Sequence, residues 1–77
     1  MVKRSKTDMP LAPIGRIIKE TTKVLVSESA ALELRKVLTE FAEEIALDAA
    51  ELAAFTNRKT IKDRDITLAF KNRIKNR

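Results

Sequence analysis

The chain has no cysteine, histidine, tryptophan or tyrosine, and these absences exclude several kinds of function. Without cysteine there is no disulfide framework and no thiolate metal site. Without histidine the chain lacks the commonest zinc ligand and the usual general base of enzymes. A single glycine cannot build a glycine-rich phosphate loop. The sequence therefore predicts no metal site, no cofactor and no small-molecule substrate.

Signals for export and for membrane insertion are also missing. No apolar run approaches the roughly 20 residues of a membrane-spanning helix. The N-terminus, MVKRSKTD, lacks the apolar core of a signal peptide. We therefore expect a soluble intracellular protein with no membrane partner, built as one small domain whose own core would be marginal.

The longest regular stretch runs from Ser27 to about Thr56 and contains neither glycine nor proline. Alanine, leucine and glutamate dominate it, and apolar residues recur at helical spacing. Ser27 suits the N-cap and Asn57 suits a left-handed end. A helix of about 30 residues would be roughly 45 Å long, whereas a globule of this chain length is only about 30 Å across. The apolar stripe therefore predicts a second copy or a similar partner as its cover. The stripe comprises Leu34, Leu38, Phe41, Ile45, Ala49, Leu52 and Phe55.

Shorter helices are predicted on both sides of this long one. Pro10 and Pro13 suit the start of a helix that ends near Thr21. A final helix is predicted to begin near residues 62–63. Short extended links, residues 23–26 and 58–61, join these helices to the long one. Neither link is long enough to form a sheet alone. We therefore expect the first link of one chain to pair with the second link of its partner in a dimer.

Charge is segregated along the chain, although the net charge is only +5. Residues 1–26 sum to +4, residues 27–56 to −5 and residues 57–77 to +6. A solvated surface explains an isolated charge run, but two basic segments around an acidic helix favour a polyanionic partner, above all duplex nucleic acid. We expect residues 1–8 to form a disordered basic tail and the basic end, residues 71–77, to fray.

Two segments carry a resemblance to a known family. PLAPIGRIIK (residues 10–19) and RKTIKDRDITLA (residues 58–69) flank a long helix at matching separations. The chain resembles an archaeal histone, a member of the histone-fold family, over about residues 9–75. The resemblance implies an all-α histone-fold domain at residues 9–77. It also implies an intertwined, head-to-tail dimer formed with a second copy or with a paralogous histone.

The resemblance further implies which residues bind double-stranded DNA. The starts of the first helices and the paired links would face the duplex. Helix N-termini attract phosphates there, and an arginine enters the minor groove. Arg16 matches the family's minor-groove arginine, and Lys59 with Thr60 matches its phosphate-contacting pair. The DNA-binding positions implied in this way are Arg16, Lys19, Lys23, Ser27, Arg58, Lys59, Thr60 and Lys62.

Two further contacts implied by the resemblance involve Asp65. Arg58 and Asp65 match an intrachain pair that braces the second link, although two unrelated surface charges would also explain these residues. Leu52, Phe55 and Asp65 match the contact that joins one dimer to the next.

The sequence departs from the family pattern at three positions. Leu25 stands where many relatives have an arginine that contacts DNA, so we expect the first link to bind DNA less tightly. Phe55 replaces a histidine of the dimer–dimer contact, so that contact would be apolar here. Thr22 stands where many relatives that form long chains of dimers have a glycine, at a point where adjacent superhelical turns approach each other. A threonine there argues against tight stacking of these turns into long closed rods.

The resemblance, together with the charge segregation, implies an architectural protein of the chromosome, in the cytoplasm, without enzymatic activity. It would bind, bend and wrap DNA largely without sequence specificity, in nucleosome-like particles or arrays. The alternative is a histone-fold subunit of a transcription-factor complex that acts by heterodimerisation. Glu40, Glu43 and Glu44 lie close together, but a solvated acidic face explains them better than acid–base catalysis or a Mg²⁺ site. A membrane-surface helix is disfavoured because the longest amphipathic helix is the acidic one.

Overall fold

The computed structural model describes residues 9–75, and this part of the chain contains three α-helices and no strand. Helix α1 spans Leu11–Thr22, α2 spans Glu28–Phe55 and α3 spans Asp63–Lys75. The all-α prediction and the order of short, long and short helices are confirmed. The predicted tail, residues 1–8, and the last two residues lie outside the described part.

Helix α1 begins without a side-chain cap. Pro10 occupies the N-cap position with φ −59° and ψ 142°. Proline suits this position because its missing N–H would have no partner inside the helix. The helix ends at Thr22 and is capped by Lys23, which adopts a left-handed conformation with φ 63° and donates its backbone N–H to the Lys19 carbonyl at 2.7 Å. The first link therefore starts with a turn, and the prediction that it is extended is wrong at Lys23.

Helix α2 has the two ends that the sequence predicted. The Ser27 hydroxyl accepts the backbone N–H of Ala30 at 3.1 Å, which caps the first turn. Asn57 follows the helix with φ 60°. The backbone N–H of Arg58 bonds to the Ala53 carbonyl at 3.0 Å, in the Schellman pattern that terminates helices at a left-handed residue.

Contacts between residues divide the described part of the chain into two compact units, residues 9–40 and residues 41–75. In the first unit, Ile14 of α1 and Ala31 of α2 are buried. The Arg35 guanidinium donates to the Met9 carbonyl at 3.3 Å, which fixes the chain just before α1.

In the second unit, Ile45, Ala49 and Ala69 form a buried cluster with Leu52 packed against it. The rings of Phe41 and Phe70 meet edge to face, with centroids 6.1 Å apart and planes at 84°. Such pairs contribute about 0.5–1.5 kcal/mol beyond the area they bury.

The end of α3 is tied to α2 by Arg73. Its Nε donates to Asp48 at 2.7 Å and its Nη1 to Glu44 at 2.8 Å. Arg73 and Lys75 also lie in the last turn, where cations interact favourably with the helix dipole. The expected fraying of the basic end is therefore wrong for residues 71–75, which are helical.

The single chain buries few large side chains. Among the described residues, no large side chain is fully buried, and most of the buried apolar residues are alanines. Apolar side chains on α2 and on the inner face of α3 remain substantially exposed: Val37, Phe41, Ile66, Phe70 and Ile74. Exposed apolar surface of this kind is typical of protein–protein interaction sites.

Candidate nucleic-acid interface

The first basic group lies at the end of α1. Arg16, Lys19 and Lys23 follow one another at helical spacing, are exposed, and line one hollow together with Glu20, Val24 and Leu25. Three cations outnumber one carboxylate there, so the hollow carries a net positive charge. The structure thus brings together three of the predicted DNA-binding residues.

Ser27 is not among the residues that line this hollow. Its hydroxyl caps α2 through Ala30 and lies 3.2 Å from the Ser29 hydroxyl. A hydroxyl that accepts one N–H still has its own proton to donate. The N-cap of a helix is also where the helix dipole favours anions. The capping contact is therefore compatible with a phosphate contact at the same residue.

The second basic group is built on the link between α2 and α3. The Arg58 guanidinium donates through both Nη atoms to the Asp65 carboxylate, each at 2.9 Å, and through Nη1 to the Thr60 carbonyl at 2.9 Å. Asp65 also accepts the backbone N–H of Lys62 at 2.8 Å. The ion pair therefore holds the link through two backbone contacts, at Thr60 and at Lys62, and Lys59, Thr60 and Lys62 remain exposed around it.

Asp65 is the third residue of α3 and is only 4% exposed. The hydrogen bonds from Arg58 and from the Lys62 backbone lower the pKa of its carboxyl from 3.8 to about 2. The same ion pair raises the pKa of Arg58. Both groups therefore stay charged through the neutral range, and the Arg58 guanidinium bonds to the link and to Asp65 through both Nη atoms.

The sequence reasoning missed two of these contacts, those of the Thr60 carbonyl and of the Lys62 N–H. The contact of the Lys62 N–H could have been recognised from the sequence. An acidic side chain at the third position of a helix reaches back to the backbone N–H of the N-cap, as one half of a capping box. Asp65 stands at this position relative to Lys62.

The three residues implied in a dimer–dimer contact differ in accessibility. Phe55 is the last residue of α2 and is 86% exposed. Leu52 is partly buried against the cluster of the second unit, and Asp65 is occupied by Arg58. Phe55 is thus the member of this set that offers an open apolar surface.

Residues 9–75 hold no group of three or more histidine, cysteine, aspartate or glutamate residues arranged to bind a metal ion. No helix in this part of the chain combines the length and apolar character needed to cross a membrane.

Comparison with known proteins agrees with the arrangement of helices and links. Residues 7–70 match the family described as histone-like transcription factor (CBF/NF-Y) and archaeal histone. The chain is 42% identical over 64 residues to one of the subunits of archaeal histone HAN1 from Thermococcus zilligii, and the match covers 83% of this chain and 96% of that protein. It is 38% identical over 64 residues, with the same coverage, to probable archaeal histone 3 of Methanocaldococcus jannaschii. The chain therefore belongs to the family of histone-like transcription factors and archaeal histones, whose members are DNA-binding histone-fold proteins and not enzymes.

Proposed function

We propose that this protein is an architectural component of chromatin that binds, bends and wraps double-stranded DNA largely without regard to sequence. Its working form is a head-to-tail dimer, and dimers assemble on DNA into nucleosome-like particles or arrays. The observation that carries this proposal is the braced second link. Its backbone is fixed by Arg58 and Asp65, and Lys59 and Lys62 extend from it into solvent.

Non-specific binding follows from the chemistry of the exposed groups. Lysine ammonium groups recognise phosphates as point charges, and phosphates carry no sequence information. Arg16 is the residue proposed to enter the minor groove, where arginine senses groove width rather than base identity. All three phenylalanines lie on the apolar faces of helices α2 and α3, which argues against base stacking on single strands.

The proposed dimer rests on the exposed apolar surface of the single chain. Of the α2 stripe that was assigned to a partner, Phe41 and Phe55 remain exposed, whereas Ile45 and Ala49 are buried within the chain. Val37 of α2 and Ile66, Phe70 and Ile74 of α3 add further exposed apolar surface. That partner is a second copy or a paralogous histone. One relative is described by name as a subunit, which fits a chain that pairs with a related chain.

A titration on duplex DNA tests the proposal. The protein should bind two unrelated duplexes of equal length with similar affinity, and the affinity should fall steeply as salt concentration rises, because bound phosphates release counterions. Nuclease digestion of the reconstituted complex should yield protected fragments of regular sizes. Tight binding to one duplex alone, or an affinity indifferent to salt, would contradict non-specific architectural binding.

The second candidate is a subunit of a transcription-factor complex, because the family includes such factors. A chain of that kind acts by heterodimerisation. Sedimentation of the purified protein distinguishes the two functions. A stable homodimer that protects DNA by itself supports the chromatin function, whereas a chain that associates only after a different histone-fold protein is added supports the transcription-factor function.

A further inference from the structure

An apolar side chain projects from the middle of the first basic group. Leu25 is 87% exposed, the highest value among the large apolar residues of the described chain that remain exposed, and its neighbour Val24 is 61% exposed. Both line the hollow that contains Arg16, Lys19 and Lys23. Leucine carries no charge and cannot bind a phosphate electrostatically. Its position among these cations therefore indicates an apolar contact with the ligand.

The backbone before this side chain is held in a defined turn. Lys23 is left-handed, and the Thr22 hydroxyl donates to the Ile18 carbonyl at 2.8 Å while it accepts the Val24 N–H at 3.2 Å. Thr22 thus links the last turn of α1 to the residues that follow it. Because the turn is already formed, a ligand that contacts Val24 and Leu25 has less conformational entropy to remove.

We propose that Val24 and Leu25 form an apolar strip that packs against the deoxyribose edge of duplex DNA, between phosphates held by Arg16, Lys19 and Lys23. Each strand of a duplex alternates anionic phosphates with sugar edges rich in C–H groups. A surface that alternates cations with apolar side chains is complementary to this pattern. The proposal rests on the proposed function, since it names the part of DNA that this site contacts.

The same contact selects deoxyribose over ribose. A 2′-hydroxyl pressed against Leu25 would lose its water without gaining a hydrogen-bond partner, and such desolvation is unfavourable. The strip does not read bases, so its contribution is the same on unrelated sequences. It also adds no charge, so it releases no counterion.

Salt dependence separates this contact from a phosphate contact. Leu25→Ala should weaken binding to two unrelated DNA duplexes to a similar degree, by about tenfold, the effect of losing part of a buried leucine side chain. The slope of log affinity against log salt should stay at the wild-type value. Leu25→Arg should steepen that slope by about 0.9 for each new phosphate contact. Leu47→Ala is the matched control, since Leu47 is 69% exposed on α2 and should leave both quantities unchanged.

Sugar selectivity is measured with DNA duplexes that carry interspersed ribonucleotides. The wild-type protein should bind them more weakly than plain DNA, and Leu25→Ser should reduce that difference because its hydroxyl can pair with a 2′-hydroxyl. Unchanged DNA affinity in Leu25→Ala, or a changed salt slope, would overturn the inference. A lower, concentration-dependent melting temperature in Leu25→Ala would also overturn it, because Leu25 would then be covered by a second copy. Failure of the wild-type protein to bind duplex DNA would instead refute the proposed function itself.

Discussion

Arg58 and Asp65 form a two-point ion pair, with Nη1 to Oδ2 and Nη2 to Oδ1 both at 2.9 Å. The side chain of Asp65 is almost inaccessible to solvent, and that of Arg58 is mostly covered. The pair also reaches the Thr60 carbonyl and the Lys62 N–H, so it determines the conformation of the link that carries Lys59. A parallel pair of N–H···O bonds is more directional than a single contact, which suits this bracing role.

The first prediction concerns the pH dependence of stability. The Asp65 carboxyl has a pKa of about 2 in the folded chain, against 3.8 ordinarily, so the unfolded chain takes up this proton at a higher pH. The contribution of Asp65 to the free energy of unfolding is therefore complete above about pH 4 and is lost as the pH falls toward 2. Asp65→Asn should lower the melting temperature at pH 7, and its difference from wild type should narrow across this window.

Thermal melts at several pH values measure that difference. The control is Asp63→Asn, which removes an exposed carboxylate from the same first turn of α3 and should lower the melting temperature less. A difference between wild type and Asp65→Asn that stays constant from pH 7 down to pH 2 would contradict the role assigned to the ion pair.

The second prediction concerns coupled folding and dimerisation. Since the single chain leaves Val37, Phe41, Ile66 and other apolar residues exposed, folding and association should be one event. Mass action then requires the melting temperature to rise with protein concentration. Thermal melts over a hundredfold concentration range, together with sedimentation, test this. A concentration-independent melt with a monomer mass would remove the argument for the dimer.

The third prediction concerns assembly beyond the dimer. Phe55→Glu should place repelling charges in an apolar contact, so that dimers persist while longer arrays on DNA no longer form. Leu47→Glu is the matched control, because it introduces the same charge at another exposed apolar residue of the same helix. Nuclease ladders report the array length. If Phe55→Glu and wild type give the same ladder, Phe55 does not join dimers.

The fourth prediction concerns phosphate binding by the second link. Lys59→Ala should weaken binding equally on unrelated duplexes and reduce the salt slope by about one for each phosphate that is no longer neutralised. Two copies in a dimer would double that reduction. Lys36→Ala removes an exposed lysine from the acidic helix α2 and should leave the slope unchanged. Equal effects of the two substitutions would indicate a general charge effect rather than a phosphate bound at Lys59.

The fifth prediction concerns the single glycine of the chain. A Cβ added at Gly15 would lie 3.9 Å from the Cβ of Ala31, an ordinary van der Waals distance. Gly15→Ala should therefore stabilise α1 by about 1 kcal/mol per chain, because alanine loses less backbone entropy on forming a helix. A raised melting temperature with unchanged DNA affinity is expected. A lowered melting temperature would instead indicate that a second copy approaches closely at Gly15.

The sequence by itself determined the three helices, the start of α1, both ends of α2 and the family. Pro10, Ser27 and Asn57 act within one turn of their own positions, so their effects follow from local backbone geometry and capping. The apolar stripe of α2 was readable for the same reason, since helical periodicity depends only on spacing. The charge segregation and the two family segments likewise required no knowledge of packing.

Only the tertiary structure decided which side chains meet. Arg73 reaches Glu44 and Asp48, which lie 29 and 25 residues earlier in the chain, and these contacts keep the basic end of α3 helical where composition predicted fraying. Packing likewise covers Leu52 and leaves Phe55 exposed, although both belong to one stripe. A residue's own chemistry sets what it can bond to, but the distance to a partner from another helix is set by how the helices pack.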